Sequence, residues 1–348
     1  YQDLSFKLNS GNFKFGKLSM FGILATSIIN IGGGSSNTLY GNGNQVDFAS
    51  KIGLAGVNHF KQINSKSFVR STFGVNYSST DQTGYSTDRA TNADFVKEVN
   101  NVAKTSYNIS SVYNSKINSR LFIKAGIRDE IIELNLFYKT KERINDSYNE
   151  IWDSKSNTNL AQAYAHMKYN LTEKLMLNAG VYAQLFFLNN STSVEPRFGL
   201  IYNVPNNSSF NFGYGLHSQM QPINVYFLQS TDTDGKTVYN NKNLNFTKSH
   251  HFVLGYNIQP LNNWRVKTEV YYQFIYNVPV NTFSSSYSML NTGATFKSDL
   301  EDNLINSGTG KNYGMELTIE KFFSKGYYGL FTSSLYSSKY TGSDDLER

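Results

Sequence analysis

Across 348 residues only 17% are charged while 15% are aromatic, with 25 Tyr and 25 Phe against 2 Trp and 5 Pro; soluble domains average about 25% charged. The absence of cysteine excludes disulfides and thiolate metal sites, and a net charge of +6 with no run of five basic residues argues against a nucleic-acid surface. A mean hydropathy of −0.42 looks soluble, but a barrel whose lumen and loops are polar has the same mean, so periodicity has to decide.

In chain order, about fourteen segments alternate apolar and polar residues. They lie near 3–9, 16–31, 46–60, 67–78, 98–114, 119–138, 158–170, 174–188, 193–204, 208–218, 248–259, 263–278, 310–323 and 326–340. In one of them Trp264, Val266, Val270, Tyr272, Phe274 and Tyr276 alternate with Arg265, Lys267, Glu269, Tyr271 and Gln273. Strand side chains point to opposite faces in turn, so one face is apolar and the other polar. The apolar, lipid-facing sets include Leu4/Phe6/Leu8, Phe73/Val75/Tyr77, Leu175/Leu177/Val181/Leu185/Phe187, Phe210/Phe212/Tyr214/Leu216 and Phe252/Leu254/Tyr256/Ile258. The opposite phase places Lys7, Arg70, Lys124, Arg128, Gln162, His166, Lys168, Asn178, Gln184, Glu195, Arg197, Asn211, Lys267, Glu269, Glu316 and Glu320 in a lumen. The stretch Asp94–Lys104 reads equally as strand, loop or short helix.

Connections alternate short and long along the chain. The long ones cover about 32–45, 79–97, 139–157, 219–247 and 279–309, and a short one near Asn189–Thr192 breaks the rule. Short turns on one rim and long loops on the other are the pattern of an all-β, transmembrane, antiparallel up-and-down β-barrel. Inward charges cannot be buried dry, so the lumen holds water or a polar domain. Outer-membrane lipid is then the first partner. Tyr1-Gln2-Asp3-Leu4 already reads as strand, and the chain is expected to be a piece of a longer exported protein.

Several motifs resolve to bland readings. His250 and His251 are adjacent and diverge across the strand, and His59, His166 and His217 fall on other strands, so no metal site is expected. Asp232-Thr233-Asp234-Gly235 lacks the closing acid of a calcium loop and reads as a turn. The Asp299-Leu300-Glu301-Asp302 stretch reads as a solvated loop. Ile31-Gly32-Gly33-Gly34-Ser35 has no lysine and no following helix for a phosphate loop. The carboxylate pairs Glu316/Glu320 and Asp129/Glu130 sit in no catalytic motif, so no enzyme and no cofactor is expected.

Ser193-Val194-Glu195-Pro196-Arg197-Phe198-Gly199 resembles a recurrent strand of TonB-dependent receptors of Bacteroidetes type. So do Phe212-Gly213-Tyr214-Gly215-Leu216-His217-Ser218-Gln219, Lys248–Tyr256, Glu269–Gln273 and Gly308–Thr318. The resemblance is close over the C-terminal 160 residues and looser over the first 190. It implies a barrel of about 22 strands closed by an N-terminal plug, of which this chain supplies roughly the fourth to the seventeenth. The plug, the TonB-contacting segment and both barrel ends then lie outside this sequence. The subgroup often carries a carboxypeptidase-regulatory-like domain before the plug and pairs with a surface lipoprotein. The implied function is energised uptake of a scarce or large nutrient. A passive porin, an adhesion barrel and an outer-membrane hydrolase are the alternatives. Candidate ligand contacts on the outer loops are Tyr40, Tyr85, Trp152, Tyr226, Tyr239 and Tyr287. Glu195, Arg197, Lys267, Glu269, Glu316 and Glu320 are expected to face the plug or one another. A partial barrel is expected to show a curved antiparallel sheet with two edges.

Overall fold

A computed structural model describes residues 1–32, 45–88, 90–292 and 301–348. Fourteen strands form one antiparallel sheet in strict chain order. They are β1 (Gln2–Asn9), β2 (Lys17–Ile31), β3 (Gln45–Asn64), β4 (Ser67–Thr87), β5 (Asp94–Lys116), β6 (Leu121–Thr140), β7 (Asn149–Asn170), β8 (Leu175–Phe186), β9 (Ser191–Val204), β10 (Ser208–Gln219), β13 (Thr247–Leu261), β14 (Trp264–Asn281), β15 (Leu304–Ser324) and β16 (Tyr327–Thr341). A separate two-stranded ribbon, β11 (Ser230–Thr231) with β12 (Thr237–Val238), lies in the β10–β13 connection. Among the described residues the sheet is open: β1 and β16 each form a ladder on one side only, with a single bridge from Thr341 to Glu347 on the other edge of β16.

All fourteen expected segments are strands. Asp94–Lys104 is part of β5 rather than loop or helix. The connections 79–97, 139–157 and 279–309 are shorter than expected, because β4 runs to Thr87, β7 starts at Asn149 and β15 starts at Leu304. In these extensions water bathes both faces or a loop covers one, so alternation fades while ladder bonding continues. The short-turn rim is built for tight reversal. Asn206 and Asn207 both take positive φ between β9 and β10, as do Lys325 and Gly326 between β15 and β16; two such residues in succession match the twist of the strands they join.

Register aligns the alternation of each strand with its neighbours. Leu177, Leu200, Phe212, Leu254, Val270, Met315 and Leu335 stand opposite one another across β8–β16, forming one apolar row. Phe212, Leu254, Val270 and Met315 are exposed, as a lipid-facing belt requires.

Polarity reverses near the long-loop rim. Lower on β6, Lys124, Arg128 and Glu130 share the inward face and Ile123, Ile127 and Ile131 the outward one; higher, Ile132, Leu134 and Leu136 are buried inward while Glu133 and Asn135 face out. Paired β7 reverses at the same level, from inward His166 and Gln162 to buried Leu160 and Trp152. The wall leaves the bilayer there, and the covered surface becomes the inner one.

Candidate functional site

The cover is the β10–β13 connection. β7 rises past the end of β8, whose ladder stops at Leu160↔Phe186, and β14–β15 continue to Asn281↔Leu304. The shorter strands between leave a notch in the wall, and residues 220–246 fill it through two 3₁₀ turns, Ile223–Phe227 and Asn240–Asn243. Val225, Tyr226, Phe227, Leu228, Leu244 and Phe246 pack into one core with Ile132, Leu134, Leu136, Trp152, Leu160, Phe186 and Leu304.

Polar bonds fix the filling on three sides. Against the free edge of β7, the Gln229 side chain imitates a strand partner: its Nε2 donates to the Asp153 carbonyl at 3.0 Å and its Oε1 accepts from the Asp153 amide at 3.2 Å. On the β15 side, Asn241 Oδ1 accepts from the Leu304 amide and its Nδ2 donates to the Glu301 carbonyl, both at 2.9 Å. From below, Asn189 Nδ2 donates to the carbonyls of Lys242 and Leu244. That contact explains the anomalous short connection near Asn189–Thr192, which is the floor on which the loop rests.

Two expected ligand contacts are therefore corrected. Trp152 and Tyr226, at 0% and 1% exposure, are core residues. Trp152 belongs to β7 and packs on Tyr138 with ring centroids 5.5 Å apart. Tyr226 packs on Phe186 at 5.1 Å, and its hydroxyl accepts from the Gln221 amide at 3.0 Å. Burial pushes its phenol up to about 12. The apolar run Ile223–Leu228 was the available signal, since it is too hydrophobic for an exposed loop. Tyr85 stands on β4 rather than in a loop. Tyr239 is half-buried, its hydroxyl accepting from Gln229 Nε2 at 3.1 Å, and half-buried Tyr287 leans on the core from the β14–β15 connection. Tyr40 lies outside the described residues, as do Gly33, Gly34, Asp299 and Leu300.

Below the core, a polar row lines the inner face from β5 to β16: Asn114, Lys124, His166, Gly180, Arg197, Gly215, His251, Gln273, Asn312 and Ser338 stand in register. Glu195 is its most enclosed neighbour, at 1% exposure. Its carboxylate accepts from Gln184 Nε2 at 2.8 Å, from Ser218 Oγ at 2.5 Å and from the Arg197 guanidinium at 2.5 Å. Arg197 keeps 44% of its side chain accessible and lies over the Tyr182 ring. Glu195 is satisfied within the wall, whereas Arg197 still faces the lumen.

The other expected lumen residues form a ladder on β14 and β15. Lys267 pairs with Glu269 at 2.5 Å and Arg265 with Glu320 at 2.8 Å. Glu316 stands opposite Glu269, is exposed, and has no ion-pair partner among the described residues. The adjacent histidines diverge as expected: His250 Nδ1 meets the Tyr214 hydroxyl at 3.1 Å, while His251 packs on His217 at 4.5 Å between ring centroids. The His217–His251 meeting was not foreseen; it needs Gly215, which leaves room for the His217 ring directly opposite His251. Asp232 Oδ1 accepts from the amides of Asp234 and Lys236, a turn that closes the β11–β12 ribbon.

An antiparallel sheet with an apolar belt outside, a polar lining inside and loop lengths sorted by rim is the wall of an outer-membrane β-barrel. The chain belongs to the TonB dependent receptor-like β-barrel family, whose model matches residues 2–347. No curated protein sequence matches it significantly. Among solved structures it is similar to the outer membrane transporter YddB from Escherichia coli, at TM-score 0.64 and 10% identity over 97% of this chain and 54% of that one. The FrpB iron transporter from Neisseria meningitidis gives TM-score 0.64 and 14% identity over 99% of this chain and 54% of that one. The RagAB peptide transporter gives 0.63 and 10% over 97% and 46%. The chain spans about half the length of these structures. At such identities the likeness shows the fold alone.

Proposed function

We propose that this chain is a section of the wall of a TonB-dependent receptor that takes up a scarce or large nutrient through a plugged barrel. One observation carries the reading: the inner face bears a cross-strand row with polar side chains on eight of ten consecutive strands and glycines on the other two, while the outer face is largely apolar at the same height. A bilayer requires the second surface, and a polar guest in the lumen accounts for the first. That guest is the protein's own plug, which lies outside residues 1–348 together with further barrel strands. Arg197, Lys267, Glu269, Glu316 and Glu320 are its contacts, and Glu195 orients Arg197 toward it. TonB engages the same N-terminal part. Tyr85, Tyr239 and Tyr287 receive the ligand at the outer rim.

The motifs around Glu195-Pro196-Arg197 and Gly308–Thr318 support the Bacteroidetes-type subgroup, with a carboxypeptidase-regulatory-like domain ahead of the plug and a surface lipoprotein partner. Planar-bilayer recording of the full-length protein tests the plugged-barrel reading. The intact receptor should hold closed, and removal of the segment ahead of the barrel should open a large steady conductance. A steadily conducting intact protein overturns the proposal in favour of a porin.

A further inference from the structure

The loop that fills the notch meets the free edge of β7 at its upper end and leaves the middle of that edge unpaired. At the lower end, just above the last β8 rung, the Asn159 carbonyl accepts from the Phe187 amide at 3.0 Å. At the upper end, the Asp153 amide and carbonyl are taken by the Gln229 side chain at 3.2 and 3.0 Å, and the Ile151 carbonyl accepts from the Gln229 amide at 3.3 Å. Backbone groups alternate between the two edges of a strand, so those of Lys155 and Asn157 point the same way as those of Asp153 and Asn159. Neither the N–H nor the C=O of Lys155 or Asn157 has a partner on that edge among the described residues. Two donors and two acceptors therefore stand open within about 20 Å of strand between Gln229 and Phe187.

They border a cavity of about 800 Å³, lined by Glu133 and Asn135 of β6, Lys155 and Asn157 of β7, Leu188 of the β8–β9 turn, and Phe227 and Lys242 of the loop. The outward side chains of β6 and β7 are polar and exposed at this level, so the cavity stands clear of the bilayer. Gln229 shows what the edge takes: a planar amide, held as a strand partner would be. The slot is stopped at both ends, and lysine on an open edge keeps other sheets away. A linear segment of about four or five residues fits where the edge of a folded domain does not. Its charge is uneven, with Lys155 and Lys242 against Glu133, and none of the three is in an ion pair among the described residues.

We propose that this notch captures a short extended peptide from the medium by strand addition to β7. The peptide backbone completes the two open rungs, Leu188 and Phe227 support an apolar side chain, and Lys155 and Lys242 take a carboxylate. The site lies in the wall rather than the lumen, and the inference does not depend on what the plugged barrel carries.

The test uses the full-length protein in detergent and a blocked pentapeptide of alternating valine and glutamate, with binding read by calorimetry. Two isomers of the peptide are N-methylated on alternate amides, one set facing the edge and the other facing away. One isomer should bind as the parent does, and the other should bind on the order of tenfold more weakly or worse, having lost its bonds to β7. Lys155→Pro removes an edge-facing N–H while sparing the β6 ladder and should weaken binding severalfold. Lys155→Gln/Lys242→Gln should weaken this peptide severalfold and leave its glutamine counterpart unchanged. Hydrogen exchange at the amides of Lys155 and Asn157 should slow when the peptide is bound. Absence of binding at millimolar peptide, equal affinities of the two isomers, or binding that leaves those amides unprotected overturns the proposal, the last by placing the peptide in the lumen or on the outer loops. A dimer that excludes the peptide overturns it in favour of a second copy on this edge. The isomers act on the unaltered protein, so a variant that loses heat-shifted gel migration does not blunt the result, and none of these readouts moves if the plugged-barrel reading fails.

Discussion

Glu195 and Tyr226 are both almost fully buried, yet their polar groups are satisfied in different ways. The Glu195 carboxylate has three donors, including a charged one, and removing it strands all three. Glu195→Ala should cost about 2–4 kcal/mol, measured as a lower urea midpoint for loss of heat-modifiable migration. Glu195→Gln keeps acceptor oxygens and should lose less. Tyr226 has a single hydrogen bond, from the Gln221 amide, and a phenol raised by burial to about 12. A pKa raised above the unfolded value near 10 means that folding favours the neutral form. Tyr226 therefore contributes this stability in full below about pH 10, and the contribution fades as pH rises toward 12. Ultraviolet titration of wild type against Tyr226→Phe should show the missing phenol ionising among the last of the tyrosines; a difference spectrum that saturates near pH 10 sinks this account.

At the level of elements, the folded-in loop converts a notch between unequal strands into a closed rim. Its seat was partly legible beforehand. Ile132, Leu134 and Leu136 fall on the phase that carries Lys124 and Arg128 lower on β6, and such a phase reversal within one strand marks a change of surroundings. Sequence could not say what covers those residues, because the partner lies about ninety positions away and meets them through a deep rim whose shape depends on the lengths of β7, β8 and β14. The same distance hid the roles of Trp152 and Tyr226, which alone look like any aromatic in a long connection. Trp152→Ala should cost about 3–5 kcal/mol by opening a cavity under the loop. Gln229→Ala removes the two bonds to the β7 edge and the one to the Tyr239 hydroxyl and should cost about 1–2 kcal/mol. Limited proteolysis after Lys236 and Lys242 reads both effects: cleavage should accelerate strongly in the first variant and mildly in the second. Equal resistance in Trp152→Ala and wild type would mean that the loop does not depend on this core.

For the whole molecule, the decisive physical fact is that a bilayer offers no hydrogen bonds. The fourteen wall strands and their order of pairing followed from alternation and loop parity, apart from the open reading of Asp94–Lys104, since the lipid requirement is written into every second residue of each membrane segment; the β11–β12 ribbon did not. Closure was not legible in that way, because which strands adjoin the outermost pair is a matter of partners rather than pattern. In the sheet, β1 and β16 each leave one edge without a ladder, and each unmatched backbone group in hydrocarbon costs several kcal/mol. Both edges are therefore expected to pair with further strands of the same receptor. Hydrogen exchange on the full-length protein checks this. Amides along Tyr327–Thr341 and Gln2–Asn9 should exchange as slowly as those of β5 and β6, which are paired on both sides here. Fast exchange confined to β1 and β16 would mean that the wall stays open at these edges. Residues 1–348 produced alone should conversely fail to migrate as a heat-modifiable monomer in detergent, because the same two edges have nothing to pair with but each other.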